Sequence, residues 1–313
     1  MGRFGPPLVA LVFPGQGSQY VGMGKDLADA FPIARRTFEE ADEVLGAPLS
    51  RVMWEGPEDE LTRTHNAQPA ILVHSTAVHR ILADRLPQIK LGAGHSLGEF
   101  SAYVAAGALS FADAVRTVRR RGELMFNAGQ ERAGTMAAIL GMEDADLERV
   151  CLDASAMGGE VVPANYNAPG QLVISGDVPS VQNAMAMAKE NGAKKAVQLN
   201  VSGAFHSPLM MPAEAGLRVQ LDNVAMAAPS FPIVSNVTAQ PVSDVVDARR
   251  LLIEQLTSPV RWTACVRTML ELGVAELIEL GPGTVLTGLM KRIDKSARAR
   301  AVGKAEEVNA WQS

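Results

Sequence analysis

Ile89-Lys90-Leu91-Gly92-Ala93-Gly94-His95-Ser96-Leu97-Gly98-Glu99-Phe100 joins a short apolar run to a helical pattern through a turn with a glycine on either side of a serine. Ile89–Gly94 reads as a strand and Ser96–Ala106 as the helix directly after it. Gly94-His95-Ser96-Leu97-Gly98 has the form G-x-S-x-G, in which a sharp strand-to-helix bend presents a serine and the glycines let neighbouring backbones close in. Composition alone produces such a pentapeptide in about one chain in ten of this length. The apolar strand before it and the helix after it therefore carry the inference against a plain Gly-rich turn with a capping serine.

The same alternation extends outward. Leu8–Phe13 is a continuous β-type run ended by Pro14-Gly15, residues 69–86 place apolar side chains at helical spacing, and Phe111–Phe126 is an amphipathic helix with Asp113 near its start. Short strands alternating with helices predict a parallel sheet covered by helices. The middle third changes rhythm. Met136–Leu140 reads as strand, Asp144–Ala154 as helix, Val161–Asn165 and Leu172–Ser175 as strands, Pro179–Asn191 as helix and Lys195–Val201 as strand. That order, β-α-β-β-α-β, is a ferredoxin-like signature. It predicts a small domain over 132–200 inserted into a discontinuous larger one of residues 1–131 and 201–313. Beyond it, Phe231–Ser235 and Leu277–Leu280 read as strands, and Leu251–Leu256, Val266–Leu272 and Val285–Ile293 as helices.

Composition bounds the function. The chain has 313 residues, 47% hydrophobic and 20% charged, with a formal charge of −5, which argues against nucleic acid as the main partner. Its two cysteines, Cys151 and Cys265, are far apart and in no metal-like spacing, so a reducing compartment is expected and no disulfide framework. Leu8–Phe13 is too short to span a membrane, and it lacks the basic flank and cleavage site of a signal peptide. The expectation is a cytoplasmic protein, without membrane, metal or cofactor.

A nucleophilic serine needs a base. There are five histidines. His74 and His79 lie on a helical pattern that gives them a surface or packing role, and His65 falls in a polar loop before Gln68-Pro69. His95 adjoins Ser96, and direct neighbours on a strand-turn point apart. His206, in Ala204-Phe205-His206-Ser207-Pro208 after the inserted segment, is left as the base, with a structural histidine as the alternative. An unperturbed imidazole there titrates near 6.5, so activity is expected to fall below that pH. Pro14-Gly15-Gln16-Gly17-Ser18-Gln19 has neither the lysine nor the spacing of a P-loop, and its better use is a backbone N–H beside the serine as an oxyanion donor. Of Arg119-Arg120-Arg121, successive on a helix, at most one or two face a site and two are expected in solvent.

These residues together resemble a family. Gln16-Gly17-Ser18-Gln19, Gly94-His95-Ser96-Leu97-Gly98-Glu99, Arg121-Gly122, Ala204-Phe205-His206-Ser207-Pro208 and Gly281-Pro282-Gly283 follow the order and spacing of the malonyl-CoA:acyl-carrier-protein transacylases of bacterial fatty-acid synthesis. The chain is also similar to polyketide synthase acyltransferase domains, and the resemblance covers residues 8–295. It implies an α/β fold, an α/β-hydrolase-like core with a parallel sheet and a ferredoxin-like insertion. It also implies transfer of malonyl from malonyl-CoA to the phosphopantetheine thiol of an acidic acyl carrier protein, through an ester on Ser96. His206 is implied as base, the N–H groups of Gln16 and Leu97 as oxyanion hole, and Arg121 as partner of the malonyl carboxylate. Phe205, Asn165 and Met125 are implied in substrate binding, with Asn167 lining the same cleft. Backbone carbonyls orient the histidine in this family, one of them close to Pro259-Val260-Arg261-Trp262, where Arg261 replaces the glutamine of many relatives. The expected state is a monomer. The rival readings are a trans-acting polyketide acyltransferase, a serine esterase or thioesterase, and a non-catalytic carrier-binding module.

Overall fold

The computed structural model describes residues 8–312. Among the described residues ten strands form two sheets. β1 (Leu8–Phe13), β2 (Ile89–Gly94), β7 (Ile233–Val234), β8 (Pro241–Val242), β9 (Val274–Leu280) and β10 (Arg298–Val302) make a sheet in the order β10-β9-β1-β2-β7-β8. All its pairings are parallel except β7 with β8. β1 is apolar along its length because both faces of this sheet are covered. Val9, Leu11 and Phe13 enter one core with the helices Thr64–Leu82 and Phe111–Glu131, while Ala10 and Val12 enter another with Trp262–Glu271 and Val285–Ile293.

The second sheet is antiparallel, in the order β4-β5-β3-β6, from β3 (Gly134–Leu140), β4 (Val161–Ala168), β5 (Gln171–Asp177) and β6 (Lys195–Gln198). The helices Asp144–Ala156 and Val178–Glu190 follow β3 and β5, and a separate core around Ile139, Leu147, Ile174 and Val181 joins them to one face. The order of elements is thus the β-α-β-β-α-β of the sequence. Edge strand β4 is tied to the other sheet's side of the molecule: Val260 N–H donates to Ala164 O (2.8 Å) and Tyr166 N–H to Val260 O (2.9 Å).

Several boundaries differ from the sequence expectation for physical reasons. β6 stops at Gln198, after which Leu199 N–H bonds Met136 O and the chain turns into the cleft described below. β7 keeps only two of the five residues expected, because Ser235 N–H already pairs with Gln240 O in the turn to β8. β10, with arginine at every second position up to Arg300, carries too weak an apolar signal to be read as a strand. His65 is in the first turn of the helix Thr64–Leu82 and not in a loop, and His74 is fully buried on the same helix, which removes the surface option for it. Among the described residues no helix is long and apolar enough to cross a membrane, and no group of three or more His, Cys, Asp or Glu is placed to hold a metal ion.

Candidate active site

Ser96 lies between the carboxyl end of β2 and the start of the helix Gly98–Ala105, with φ of 53°. That left-handed conformation costs a non-glycine residue about 1–3 kcal/mol and persists only where surroundings impose it. Asn236 imposes it from both sides: its Oδ1 accepts from Ser96 N–H (2.7 Å) and its Nδ2 donates to Gly94 O (2.7 Å). Gly98 is required because any Cβ there would collide with the Phe13 carbonyl of β1. A Cβ on Gly15 would likewise meet the His95 carbonyl, so this glycine brings the loop after β1 against the elbow.

His206 reaches the serine from a loop before the helix Met211–Asp222, itself at φ 57°. Its Nε2 is 2.8 Å from Ser96 Oγ and its Nδ1 is 2.8 Å from Gln255 O. Gln255 is the C-cap of the helix Val245–Glu254, where carbonyls lack intrahelical partners and carry the negative end of the helix dipole. An Nδ1–H donated to that carbonyl leaves Nε2 free to accept the serine proton, with no aspartate needed. One orienting carbonyl is that of Gln255, and a second backbone hydrogen bond comes from Ser258, next to the Pro259–Trp262 segment where one was expected. Arg261 is exposed, and its N–H serves Asn236 O (3.1 Å). Any residue offers a carbonyl, so no side-chain type in the sequence marked Gln255.

Arg121 is the buried member of the arginine triplet, 1% exposed. Its guanidinium donates to Gln68 Oε1 (2.6 Å), Gln255 Oε1 (2.9 Å) and Ser96 Oγ (3.2 Å). Arg120 is exposed beside Glu123, as expected for a solvated residue, whereas Arg119 is half-buried and bonded to His65 O and Asn66 Oδ1. Burial lowers the Arg121 pKa to about 10, which leaves the group charged near neutrality.

Burial and the nearby Arg121 charge drive the His206 pKa down to about 3. This corrects the expectation of a titration near 6.5: the ring stays neutral far below that pH. His95 is half-buried, desolvation lowers its pKa, and its Nε2 is 2.8 Å from Asn167 Oδ1. It serves the wall opposite and not the serine.

One cleft of about 310 Å³ is lined by Gln16, Ser96, Leu97, Arg121, Met125, Asn165, Asn167, Phe205 and His206, the site residues expected from the sequence apart from Arg261. The N–H groups of Gln16 and Leu97 have no protein acceptor among the described residues. Both remain available beside the start of a helix, where partial positive charge accumulates. The second sheet supplies the facing wall through Met136 of β3 and Val173 of β5, and the segment after β6 adds Leu199 and Val201. Gln68, Asn236 and Gln255 are buried polar residues around the site that the sequence did not reveal, and Glu99 was quoted in a motif without a role. The position of Asn236 just past β7, at the carboxyl end of a parallel strand neighbouring β2, is the one feature that pointed toward it.

Comparison with known proteins agrees in extent with this architecture. The chain matches the family model described as acyl transferase domain over residues 10–312. It is 48% identical over 300 residues to the malonyl CoA-acyl carrier protein transacylase of Bacillus subtilis (strain 168), covering 96% of this chain and 95% of that protein. The Escherichia coli (strain K12) protein of the same name is 45% identical over 296 residues, covering 94% and 96%. Among solved structures, an acyl carrier protein S-malonyltransferase from Vibrio cholerae superposes with a TM-score of 0.93 at 45% identity, covering 96% of this chain and 99% of the other. A malonyl-transacylase in complex with its type II PKS acyl-carrier protein gives 0.94 at 43%, covering 97% and 98%.

Proposed function

We propose, for a chain that belongs to the malonyl CoA-acyl carrier protein transacylases of the acyl transferase family, that it moves malonyl from malonyl-CoA to an acyl carrier protein through an ester on Ser96. The observation that carries this reading is the meeting of nucleophile, base and fixed cation in one cleft: Ser96 Oγ has His206 Nε2 at 2.8 Å and Arg121 Nη2 at 3.2 Å. As Ser96 Oγ attacks the thioester carbonyl, His206 Nε2 takes its proton. The oxyanion is held by the Gln16 and Leu97 N–H groups, a stabilisation of about 3–4 kcal/mol per donor in other acyl-transfer enzymes. Collapse expels coenzyme A as its thiol, which receives the proton from His206. The carrier's phosphopantetheine thiol then gives its proton to His206, attacks the ester and restores Ser96. No cofactor is consumed, because both thiols arrive on substrates.

Arg121 receives the malonyl carboxylate through its planar fork. Offsetting its charge removes a cause that depresses the His206 pKa, so substrate binding strengthens the base. Phe205, Met125 and Asn165 shape the acyl pocket. The apolar wall supports transfer over hydrolysis, since it disfavours water, and a cation at the acyl tail has no use in a general esterase. The six-stranded sheet is read as an α/β-hydrolase-like core and 132–200 as a ferredoxin-like insertion, supported by the strand–serine–helix turn and by the sheet order β4-β5-β3-β6. Fatty-acid synthesis in the cytoplasm by a monomer is the favoured setting. The type II PKS relative supports a second one, loading of a polyketide carrier by the same chemistry. Intact-mass spectrometry with malonyl-CoA alone tests the core claim. One malonyl group is expected on the wild type and none on Ser96→Ala, and labelling that survives in Ser96→Ala would falsify the covalent route.

A further inference from the structure

Glu99 follows the elbow in the first turn of the helix Gly98–Ala105 and is 0% exposed. A carboxylate in such a place costs several kcal/mol unless partners compensate it. Among the described residues it has no ion pair within 4.0 Å. Its Oε2 accepts instead from Gln255 Nε2 (2.6 Å) and from Asn236 N–H (3.2 Å), while Oε1 is buried without a partner. Both partners belong to the catalytic floor. Gln255 takes Arg121 on its Oε1 at 2.9 Å and His206 on its backbone oxygen at 2.8 Å, and its Nε2 also reaches Ser96 O at 3.1 Å. Asn236 holds Ser96 N–H.

We propose that Glu99 is a positioning residue for the reaction, whose carboxylate fixes the Gln255 side-chain amide in the one sense that presents its oxygen to Arg121. The argument is electrostatic. A reversed Gln255 amide would set oxygen against the Glu99 carboxylate and N–H against the Arg121 guanidinium, and both contacts repel. A neutral residue in place of Glu99 removes the first of these penalties. The arrangement also explains why the acid stands one residue away from Arg121. The partners of the guanidinium are neutral oxygens of Gln68, Gln255 and Ser96. A carboxylate directly on Arg121 would compete with an incoming acyl carboxylate, whereas one acting through Gln255 tethers the arginine and leaves its charge for the substrate. Arg121 in turn favours the ionised form of Glu99 against a burial that raises its pKa to about 7.

This inference rests on Arg121 as receptor of the malonyl carboxylate. Its test is kcat/KM for malonyl-CoA and acetyl-CoA in Glu99→Gln, Glu99→Asp, Gln255→Ala and the Glu99→Gln/Gln255→Ala double variant, with thermal unfolding of each. Glu99→Gln and Gln255→Ala should each lower malonyl kcat/KM by about 10–100-fold, the scale of a misplacement of about 1 Å, and should erode the malonyl-to-acetyl preference. The double variant should be no worse than the poorer single within about threefold, because both act by one route. Glu99→Asp keeps the charge and should retain more preference than the isosteric Glu99→Gln; the opposite ranking would mean that shape alone matters and would overturn the proposal. Effects that multiply in the double variant overturn it as well. Should Glu99→Gln fail to fold, Glu99→Asp and Gln255→Ala decide, and wild-type preference in both rejects it. Arg121→Ala separates the two layers: if it keeps the malonyl preference the underlying reading fails, and if it loses the preference while Glu99→Gln keeps it, only the role of Glu99 fails.

Discussion

On the floor of the cleft, Arg121, His206, Gln255, Asn236 and Ser96 are bound to one another at 2.7–3.2 Å. Across it, β3, β5 and the segment after β6 present Met136, Val173, Leu199 and Val201, and Asn167 meets His95 beside the serine through a side-chain hydrogen bond. The floor fixes charge and proton acceptor in single positions, at a cost in backbone strain at Ser96 and His206. The apolar side chains of the wall hold no hydrogen bonds of their own and can repack, as a surface that must admit a long thioester arm and exclude water requires, while backbone bonds at Val260 hold its edge strand. Chemistry is thus over-determined on one side and accommodated on the other.

Breaking the floor should have the largest effect. His206→Ala should lower malonylation of Ser96 by about 10²–10⁴-fold, the usual worth of a positioned base, while His79→Ala changes it little; an active His206→Ala would reassign the base. The same residue leaves a thermodynamic trace. Its folded pKa is about 3 and that of His74 about 4, both below the unfolded value of 6.5, so below pH 6.5 the unfolded chain binds protons that the native chain refuses. Stability from these neutral rings is complete above pH 6.5 and is lost as pH falls toward 4, by about 2 kcal/mol per ring at pH 5. Glu99, raised to about 7, contributes the opposite slope between 7 and 4.5. Urea unfolding across this range should therefore show a pH slope in the wild type steeper than in His206→Ala by up to one proton, a difference from which Glu99 cancels. Equal slopes would show that the ring is protonated in the folded state.

A more selective break concerns the substrate carboxylate. Arg121→Ala should cost malonyl transfer about 2–5 kcal/mol, as expected for deleting one partner of a desolvated charge pair, while acetyl transfer holds or rises. Specificity constants for the two thioesters measure this, and an unchanged ratio would move the search to Arg119. The smallest effect lies outside both regions. Lys291, Arg292, Lys295 and Arg298 are exposed, and none forms an ion pair with another described residue. The acidic carrier expected from the family resemblance would need such a local patch on a chain of net charge −5. Reversing the four charges to glutamate should raise KM for carrier protein by about threefold to tenfold, with steeper loss at low salt, and leave malonyl-CoA acylation untouched. A change in acylation instead would tie the patch to the cleft.

The sequence by itself determined the elbow, because G-x-S-x-G between an apolar strand and a helix is a local pattern with a local cause. β1 and β2 were legible to the residue for the same reason, and a list of five histidines left His206 as the candidate base, with a structural histidine as the alternative until the order of motifs was read. Arg121 became legible through the order of motifs around it, since position within a charged triplet gives no orientation. What only the tertiary structure decided is the layer beneath: Gln68, Asn236 and Gln255 reach Arg121 or Ser96 from 53, 140 and 134 positions away. Neutral amides have no charge run and no period to betray them, and the histidine is oriented by a backbone carbonyl that every residue owns. The depressed basicity of His206 was invisible as well, because it comes from desolvation and from a guanidinium brought close by folding, and neither exists in the extended chain.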